Sequence, residues 1–324
     1  MSNRYSLGFF PTPVHQLKNL SARYAPYELY MKRDDQTGLA SGGNKTRKLE
    51  YLIREALDQG CDTIITLGAQ QSNHCRQTAA ACNLAGLECH LMVRGIAPDF
   101  AGGNLLLSSV LGATIHYAGD IIQDEAVEAL MESLRSRGRK PFLVPVGGSN
   151  LTGSLGFVDA AGELQQQLRA MNLEMDYIFF ASCSGGTQAG LVLGKELHSL
   201  AGTLMPVSIE KPEVPAESID LHVLQLVNQG CRHLGLKKEF TREQVALIQG
   251  YDEAGYGVVT QYERQAIHLL AKTEGILLDP VYTARAFFAM TDHLEKYLMP
   301  KGSRVLFWHT GGLPANFYFA KEIL

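Results

Sequence analysis

Residues 41–50 read SGGNKTRKLE, and this stretch predicts both a turn and the start of a helix. Two glycines permit a tight turn, Asn44 is a residue type that often caps helices, and helical spacing of apolar residues runs from Lys45 to about residue 59. Lys45 therefore falls on the first helical turn, where the helix dipole disfavours an ammonium group. A lysine with a lowered pKa can attack a carbonyl and form a Schiff base. On this stretch alone, a solvated lysine at a helix start is the alternative.

Composition excludes several classes of protein. A length of 324 residues suggests about two domains, and 46% hydrophobic with 19% charged residues is typical of a soluble globular protein. The net charge of −4, without a long run of either sign, gives no electrostatic basis for binding nucleic acid or an anionic membrane. The N-terminus MSNRYSLGFF lacks the apolar core of a signal peptide, so a cytoplasmic location is expected.

The cysteines predict neither a metal site nor disulfides. None of them forms a C-x-x-C pair, and no cysteine and histidine cluster has the spacing of a zinc site. We expect no bound metal and six reduced cysteines that serve mainly as packing residues, namely Cys61, Cys75, Cys82, Cys89, Cys183 and Cys231.

Short apolar strands alternate with helical segments along the whole chain. A first series predicts strands at 63–67, 89–93, 113–117 and 142–146, with helices at about 74–85, 102–111 and 124–137. A second series predicts strands at 28–32, 177–182, 205–209 and 304–308, with helices near 156–170, 217–234, 241–249, 261–273 and 283–297. Strands separated by helices of this length form parallel sheets with right-handed crossovers, so the predicted fold class is α/β.

One strand-to-helix turn carries candidate residues for binding a carboxylate, since ligands of open α/β sheets bind at the carboxyl ends of strands. The turn reads GAQQSNHCR at 68–76. Ser72 or Asn73 caps the following helix, whose free N–H groups can hold a carboxylate. The side chains of Ser72, Asn73 and His74 add donors. A simple capping turn is the alternative.

Two further turns suggest a phosphate site and a contact to a ring nitrogen. The turn SCSGGTQAG at 182–190 has small residues whose backbone N–H groups can close around a phosphate, and Thr187 adds a hydroxyl. It is neither a Walker A loop nor G-x-G-x-x-G, and a bare glycine turn is the alternative. In HTGGLP at 309–314, Thr310 could offer its hydroxyl to a ring nitrogen, with a chain-reversal loop as the alternative.

These three features together describe one pair of ligands. A Schiff-base lysine and a phosphate cradle match an aldehyde with a phosphate tail, which is pyridoxal 5′-phosphate. A carboxylate-binding helix start matches an amino-acid substrate. The sequence therefore predicts an enzyme that uses this cofactor on a small amino acid.

Eight motifs spread over almost the whole chain carry a family resemblance. They are KRDD (32–35), GGNKTRKLE (42–50), QSNHCRQTAA (71–80), PVGGSN (145–150), SGGTQAG (184–190), GYG (255–257), LLDPVYTARA (277–286) and HTGG (309–312). With this set the chain closely resembles the D-cysteine desulfhydrase and 1-aminocyclopropane-1-carboxylate (ACC) deaminase family, which are pyridoxal-phosphate enzymes of the tryptophan-synthase β-like fold.

The resemblance implies an architecture and an assembly. We expect two open, twisted, mostly parallel sheets flanked by helices, with the cofactor between two domains. A large domain would comprise residues 1–48 and 155–324, and a small domain residues 49–154. Homodimers are expected because family members commonly form them.

The resemblance also implies which residues hold the cofactor. Lys45 matches the lysine that carries it, Asn44 would bond its ring hydroxyl, and Thr310 would face its pyridine nitrogen. The phosphate would be held by four residues of the glycine turn, namely Ser184, Gly185, Gly186 and Thr187.

Five further positions match substrate-contacting residues of the family. Ser72, Asn73 and His74 would hold the substrate carboxylate, with Ser72 also placed for proton transfer. Tyr256 and Tyr282 match two active-site tyrosines that face the substrate and can take part in catalysis.

Two positions resemble the desulfhydrase branch more than the deaminase branch. This chain has His74 and Thr283 where ACC deaminases typically carry Gln and Glu. With the neutral Thr310 at its pyridine nitrogen, the cofactor ring withdraws electrons less strongly than it would beside a carboxylate. Expelling sulfide from Cβ requires less electron withdrawal than opening a cyclopropane. The sequence therefore favours elimination from D-cysteine to give pyruvate, hydrogen sulfide and ammonia.

Other functions remain as alternatives. ACC deaminase comes next, followed by an L-cysteate sulfo-lyase. A cofactor carrier without turnover is disfavoured because Ser72, Tyr256 and Tyr282 accompany Lys45. A dinucleotide-binding module is disfavoured because G-x-G-x-x-G with a later acidic residue is missing from the sequence.

Overall fold

Two separate sheets organise the protein in the computed structural model, which describes residues 4–210 and 218–324. One has five strands in the order β1-β2-β9-β7-β8, and the other has four in the order β5-β4-β3-β6. All neighbouring strands are parallel except the β1 and β2 pair. The strands are β1 Val14–Gln16, β2 Glu28–Arg33, β3 Thr63–Gly68, β4 Glu88–Val93, β5 Thr114–Tyr117, β6 Pro141–Val144, β7 Tyr177–Ser182, β8 Thr203–Ser208 and β9 Arg304–His309. The predicted α/β class with two mostly parallel sheets is confirmed.

Helices connect the strands as the alternating pattern predicts. They are α1 Lys18–Arg23, α2 Lys45–Asp58, α3 Asn73–Ala85, α4 Gly103–Val110, α5 Asp124–Ser136, α6 Leu151–Ala170, α7 Gly186–His198, α8 Ile219–Leu234, α9 Gln261–Glu274, α10 Thr283–Glu295, α11 Ala315–Tyr318 and α12 Ala320–Ile323. The predicted start of α8 at residue 217 lies outside the described residues. Within the described ranges, no helix combines the length and apolarity that crossing a membrane requires.

Helix α6 begins five residues before its predicted start at 156. Asn150 caps it, because its side chain accepts a hydrogen bond of 2.8 Å from the backbone N–H of Gly153. Gly153 and Gly156 lower the apparent helix propensity of this turn, yet both are needed for packing. A Cβ at Gly156 would lie 2.2 Å from the carbonyl oxygen of Arg47, so glycine lets α6 and α2 approach closely.

The predicted helix at 241–249 is wrong. Only Glu243–Val245 form a short 3-10 helix, and the chain then becomes extended at Ala246. Ile248 makes an isolated bridge with Val207 and exchanges backbone hydrogen bonds with the edge strand β8. Pairing with an open strand edge therefore overrides the local helical pattern.

Each sheet has its own apolar core. The four-stranded sheet packs on α2 and α3, with Leu49, Leu52 and Ile53 fully buried against it. The five-stranded sheet buries Phe179 and Phe307. All strands of the four-stranded sheet come from residues 63–144, but the predicted domain boundaries at 48/49 and 154/155 stay a prediction, since α2 and α6 run across them.

The three predicted turns all follow strands at their carboxyl ends. They come after β3, β7 and β9 and lead to the starts of α3, α7 and α11. The end of α2 that bears Lys45 joins them, because the backbone N–H of Asn44 donates to the carbonyl of Thr310 at 3.0 Å. This arrangement builds the site described next.

Candidate active site

A cavity of about 340 Å³ lies where these turns meet. It is lined from both sheets, and the lining includes every predicted site residue except Gly186, namely Asn44, Lys45, Ser72, Asn73, His74, Ser184, Gly185, Thr187, Tyr256, Tyr282 and Thr310. Gly186 lies just behind it, with its backbone N–H 3.2 Å from the hydroxyl of Ser149. The residues predicted to act together thus lie together, while their individual roles remain predictions.

Lys45 is the first residue of α2 and projects an amine into the cavity. Burial lowers the pKa of this amine from about 10.5 to about 8. The predicted direction of the shift is therefore right, and burial is its main cause. An amine with this pKa is partly neutral near neutral pH and can act as a nucleophile.

Asn44 occupies the cap position of α2 without capping it. Its backbone is helical, with φ −60° and ψ −21°, and its side chain makes no capping hydrogen bond. The amide instead donates to the Thr187 hydroxyl at 3.1 Å and accepts from the Lys45 amine at 3.2 Å. The capping prediction is wrong because the side chain bridges two residues of the cavity wall.

The glycine turn after β7 forms a cradle with the amine of Lys48 behind it. Gly185 has a left-handed backbone with φ +81°, which glycine adopts readily, and α7 begins at the next residue. Ser149 donates to the Ser184 hydroxyl at 2.8 Å. Lys48, which is fully buried, donates to the Ser149 hydroxyl at 3.2 Å and to the Gly147 carbonyl at 3.0 Å.

Lys48 is a functional candidate that sequence reasoning missed. Among the described residues it forms no ion pair with an acidic group, and burial holds its pKa well below the usual range. A bound anion at the glycine turn would restore the missing charge partner. Its spacing in the sequence indicates this role, because a residue three positions after Lys45 lies on the same face of α2.

The turn after β3 presents donors to a ligand. Ser72 is extended and caps α3 by accepting from the backbone N–H of Cys75 at 3.2 Å, as predicted. Its hydroxyl also contacts the Cys75 thiol and lines the cavity, so its hydrogen can be donated to a ligand in place of the thiol. Asn73 and His74 form the first turn of α3, where the backbone N–H groups have no helical partner.

The side chain of His74 was predicted to donate to a carboxylate, but its hydrogen bonds leave it only an acceptor. Thr66 must donate to the Val144 carbonyl at 2.8 Å, so its oxygen accepts from His74 Nε2 at 2.8 Å. The other nitrogen, Nδ1, is consequently an acceptor, and it has no partner among the described residues. Burial, with Lys45 and Lys48 nearby, keeps the pKa of His74 well below its usual value. The neutral ring cannot donate to a carboxylate, although the backbone N–H of His74 can.

Tyr256 and Tyr282 form a hydroxyl pair on the opposite wall. Their oxygens are 2.5 Å apart, and the rings meet edge to face at 5.8 Å. Burial raises the pKa of both phenols, so both stay protonated at neutral pH. One hydroxyl donates to the other, which leaves one proton for a ligand. Asp279 fixes Tyr282 by accepting its backbone N–H at 3.1 Å.

Position 283 contributes no carboxylate to the cavity. Thr283 is fully buried, and its hydroxyl donates to Asp279 at 2.6 Å instead of facing the cavity. Cys183 and Glu210 line the cavity and were not predicted, although Cys183 directly follows β7. Burial raises the pKa of the Cys183 thiol to about 12, so it stays neutral.

Comparison with known proteins decides the family. The sequence pattern of the pyridoxal-phosphate dependent enzyme family matches residues 5–311, which is almost the whole chain. The chain belongs to the pyridoxal-phosphate dependent enzyme family. The predicted resemblance is thereby confirmed at this level.

Two relatives lie close to this member of the family. A Pyrococcus abyssi protein provisionally named a 1-aminocyclopropane-1-carboxylate deaminase is 37% identical over 99% of this chain and 95% of its own length. The crystal structure of an ACC deaminase homologue superimposes with a TM-score of 0.89 at 34% identity, over 99% of this chain and 95% of that one.

A more distant structure shows the fold alone. A hydrogen sulfide-producing enzyme of Fusobacterium nucleatum has a TM-score of 0.62 at 19% identity, over 95% of this chain and 97% of its own. The fold is thus that of tryptophan-synthase β-like pyridoxal-phosphate enzymes.

The cavity fits the cofactor of this family, pyridoxal 5′-phosphate. The Lys48 amine and the backbone N–H groups of the first turn of α7 offer donors to a phosphate, and a bound phosphate would raise the lowered pKa of Lys48. The Lys45 amine opens into the same cavity and can meet a carbonyl. Gly186 must lack a side chain, since a Cβ there would lie 2.8 Å from the backbone Cα of Ser149.

Proposed function

We propose that this enzyme is a lyase that eliminates hydrogen sulfide from D-cysteine, after which water hydrolyses the released 2-aminoacrylate to pyruvate and ammonia. The observation that carries the proposal is the neutral side chain at position 283. Thr283 occupies the position where deaminases of the resembling family typically carry Glu, and its hydroxyl is held by Asp279. A carboxylate is therefore not contributed to the cavity from this position.

The neutral residue at position 283 affects which bond of the substrate can break. When bound, pyridoxal phosphate supplies an electron sink for negative charge at the substrate Cα. A ring nitrogen beside a threonine hydroxyl carries less positive charge than one beside a carboxylate, so the sink is weaker. Breaking the Cβ–S bond of cysteine releases a stable thiolate, whereas opening a cyclopropane releases a carbanion. The weaker sink favours the first reaction.

Each part of the reaction has a candidate group in the chain. The neutral amine of Lys45 can take the α-proton, because its pKa of about 8 keeps a fraction unprotonated. Ser72 and the backbone N–H groups at the start of α3 can hold the carboxylate. The spare proton of the Tyr256 and Tyr282 pair can go to the leaving sulfur.

ACC deamination is the second candidate, and a specific observation favours it. Of two relatives above 30% identity, one is provisionally named an ACC deaminase and the other is described as an ACC deaminase homologue. Relatives at this identity can differ in substrate, because the shape of the pocket decides among small amino acids.

A product assay separates the two reactions. Purified protein with added cofactor is offered D-cysteine, L-cysteine, L-cysteate and ACC separately, and keto acid, sulfide and sulfite are measured. We expect pyruvate with an equal amount of sulfide from D-cysteine. Formation of 2-oxobutyrate from ACC, with no sulfide from D-cysteine, would replace the proposal by the deaminase function.

A further inference from the structure

Buried basic side chains differ in whether they have an acidic partner. Among the described residues, five cationic side chains other than histidine are buried, namely Lys32, Arg47, Lys48, Arg76 and Arg285. Three of them form ion pairs with buried or half-buried acids. Lys48 and Arg76 have no acidic partner within 4.0 Å among the described residues.

Arg76 is the fourth residue of α3 and adjoins the predicted carboxylate site, because its guanidinium donates to the Asn73 side-chain oxygen at 3.5 Å. It is 0% exposed, and its guanidinium donates to the Asn104 amide oxygen at 2.7 Å and to the Gly42 carbonyl at 2.7 Å. Its Nε has no partner in the described part of the chain. A buried charge without a counter-charge is costly, and a bound anion would reduce that cost.

Asp279 is the acidic residue that affects the pKa of Arg76, but it forms no ion pair with Arg76. Asp279 acts electrostatically to raise the pKa of Arg76, but its carboxylate accepts the backbone N–H groups of Val281, Tyr282 and Thr283 at the start of α10. The pKa of Arg76 falls to about 10 through burial, so the guanidinium still stays charged at neutral pH.

Arg76 also determines which end of the Asn73 side chain faces the ligand. A guanidinium can only donate, so Asn104 must turn its oxygen to Arg76. The Asn104 amide nitrogen then donates to the Gln71 carbonyl at 2.9 Å and to the Asn73 side-chain oxygen at 2.9 Å. Because the oxygen of Asn73 is occupied, its NH2 group remains as the donor on the cavity side.

We propose that Arg76 is a positioning residue that makes the start of α3 selective for the carboxylate of the amino-acid substrate. It does so by fixing Asn73 as a donor through Asn104 and by placing a buried positive charge behind the site. This inference rests on the proposed function, since it assigns the carboxylate of that substrate. It predicts that amino acids with a free carboxylate bind better than their carboxamides and that Arg76 causes the difference.

The test compares two ligands that lack a leaving group on Cβ. Dissociation constants of alanine and alaninamide, each as both enantiomers, are measured with the cofactor-loaded protein by calorimetry and by the change in visible absorbance. The variants are Arg76→Lys, Arg76→Gln and Arg76→Met. Arg135→Gln is the matched control, because it removes a positive charge from an exposed ion pair on α5.

We expect Arg76→Gln and Arg76→Met to weaken alanine binding by about tenfold or more, and alaninamide binding by less than about threefold. Arg76→Lys should recover most of the loss, because the charge and a donor remain. Arg135→Gln should change neither constant. For D-cysteine, the loss should fall on KM more than on kcat, with unchanged cofactor content.

Two outcomes separate this inference from the proposed function. If the wild type prefers alanine and Arg76→Gln keeps that preference, or weakens both ligands equally, the role of Arg76 is overturned while the function stands. If the wild type binds neither ligand or prefers alaninamide, the inference is overturned, whereas the proposed function falls only if D-cysteine yields no sulfide in the product assay. Should Arg76→Met fail to fold, the Lys and Gln variants decide the question.

Discussion

The lowered pKa of Lys45 makes a quantitative prediction about how the chain takes up its cofactor. Only a neutral amine attacks an aldehyde, so the rate of attachment follows the unprotonated fraction of Lys45. With a pKa of about 8 instead of about 10.5, the neutral fraction at pH 7 is about 9% instead of about 0.03%, which is a gain of about 300-fold.

The assay mixes cofactor-free protein with pyridoxal phosphate and follows the visible absorbance by stopped flow between about pH 6 and about pH 10. We expect the attachment rate to rise about tenfold per pH unit below pH 8 and then to level off. Nα-acetyllysine is the control, since its exposed amine should keep gaining reactivity up to its ordinary pKa. The titration of the aldehyde itself is common to both series and cancels in their ratio.

A profile for the protein that parallels the free lysine analogue up to about pH 10 would refute the reasoning. It would mean that burial does not depress the pKa of Lys45. An intact profile in Arg135→Gln and a lost absorbance change in Lys45→Ala would show that the signal comes from this amine.

Two further predictions concern the phosphate and the leaving group. Lys48→Met should weaken binding of pyridoxal phosphate by about tenfold or more but leave binding of pyridoxal, which lacks the phosphate, nearly unchanged; equal losses in a titration of the cofactor-free protein would contradict its role. Tyr282→Phe should lower kcat for D-cysteine by about a hundredfold or more. The same variant should retain most activity on 3-chloro-D-alanine, since chloride leaves without a proton, and an unchanged rate with D-cysteine would remove Tyr282 from the mechanism.

Much of the site could be predicted because its signals are local. The helix start at Lys45 and the cap at Ser72 each depend on a few neighbouring residues, and both are found at the expected positions. The glycine turn before α7 is also a local signal, because a left-handed backbone at Gly185 favours glycine.

The sequence could not show which cations are buried and unpaired. Lys48 and Arg76 lie on helices, where lysine and arginine usually form a solvated face. Their burial arises from packing against distant segments, such as the Gly147 carbonyl and Asn104. The tautomer of His74 likewise depends on Thr66 and Val144, which belong to two neighbouring strands.

Two errors along the chain have the same non-local origin. The segment at 241–249 has helical spacing, but the open edge of β8 holds Ile248 in an extended conformation. The first residues of α6 were not predicted as helical, although Gly156 lies there because close contact with α2 excludes a larger residue. In each case a distant partner determines the local structure.

The most direct test of the account is to find which lysine holds the cofactor. The loaded protein is reduced with borohydride, digested, and the pyridoxyl group is located by mass spectrometry. The account predicts that the group is on Lys45, that the visible absorbance is bleached, and that Lys45→Ala shows neither effect. A pyridoxyl group on Lys48, which lies three residues further along the same helix, or on any other lysine, would contradict the assignment of this cavity.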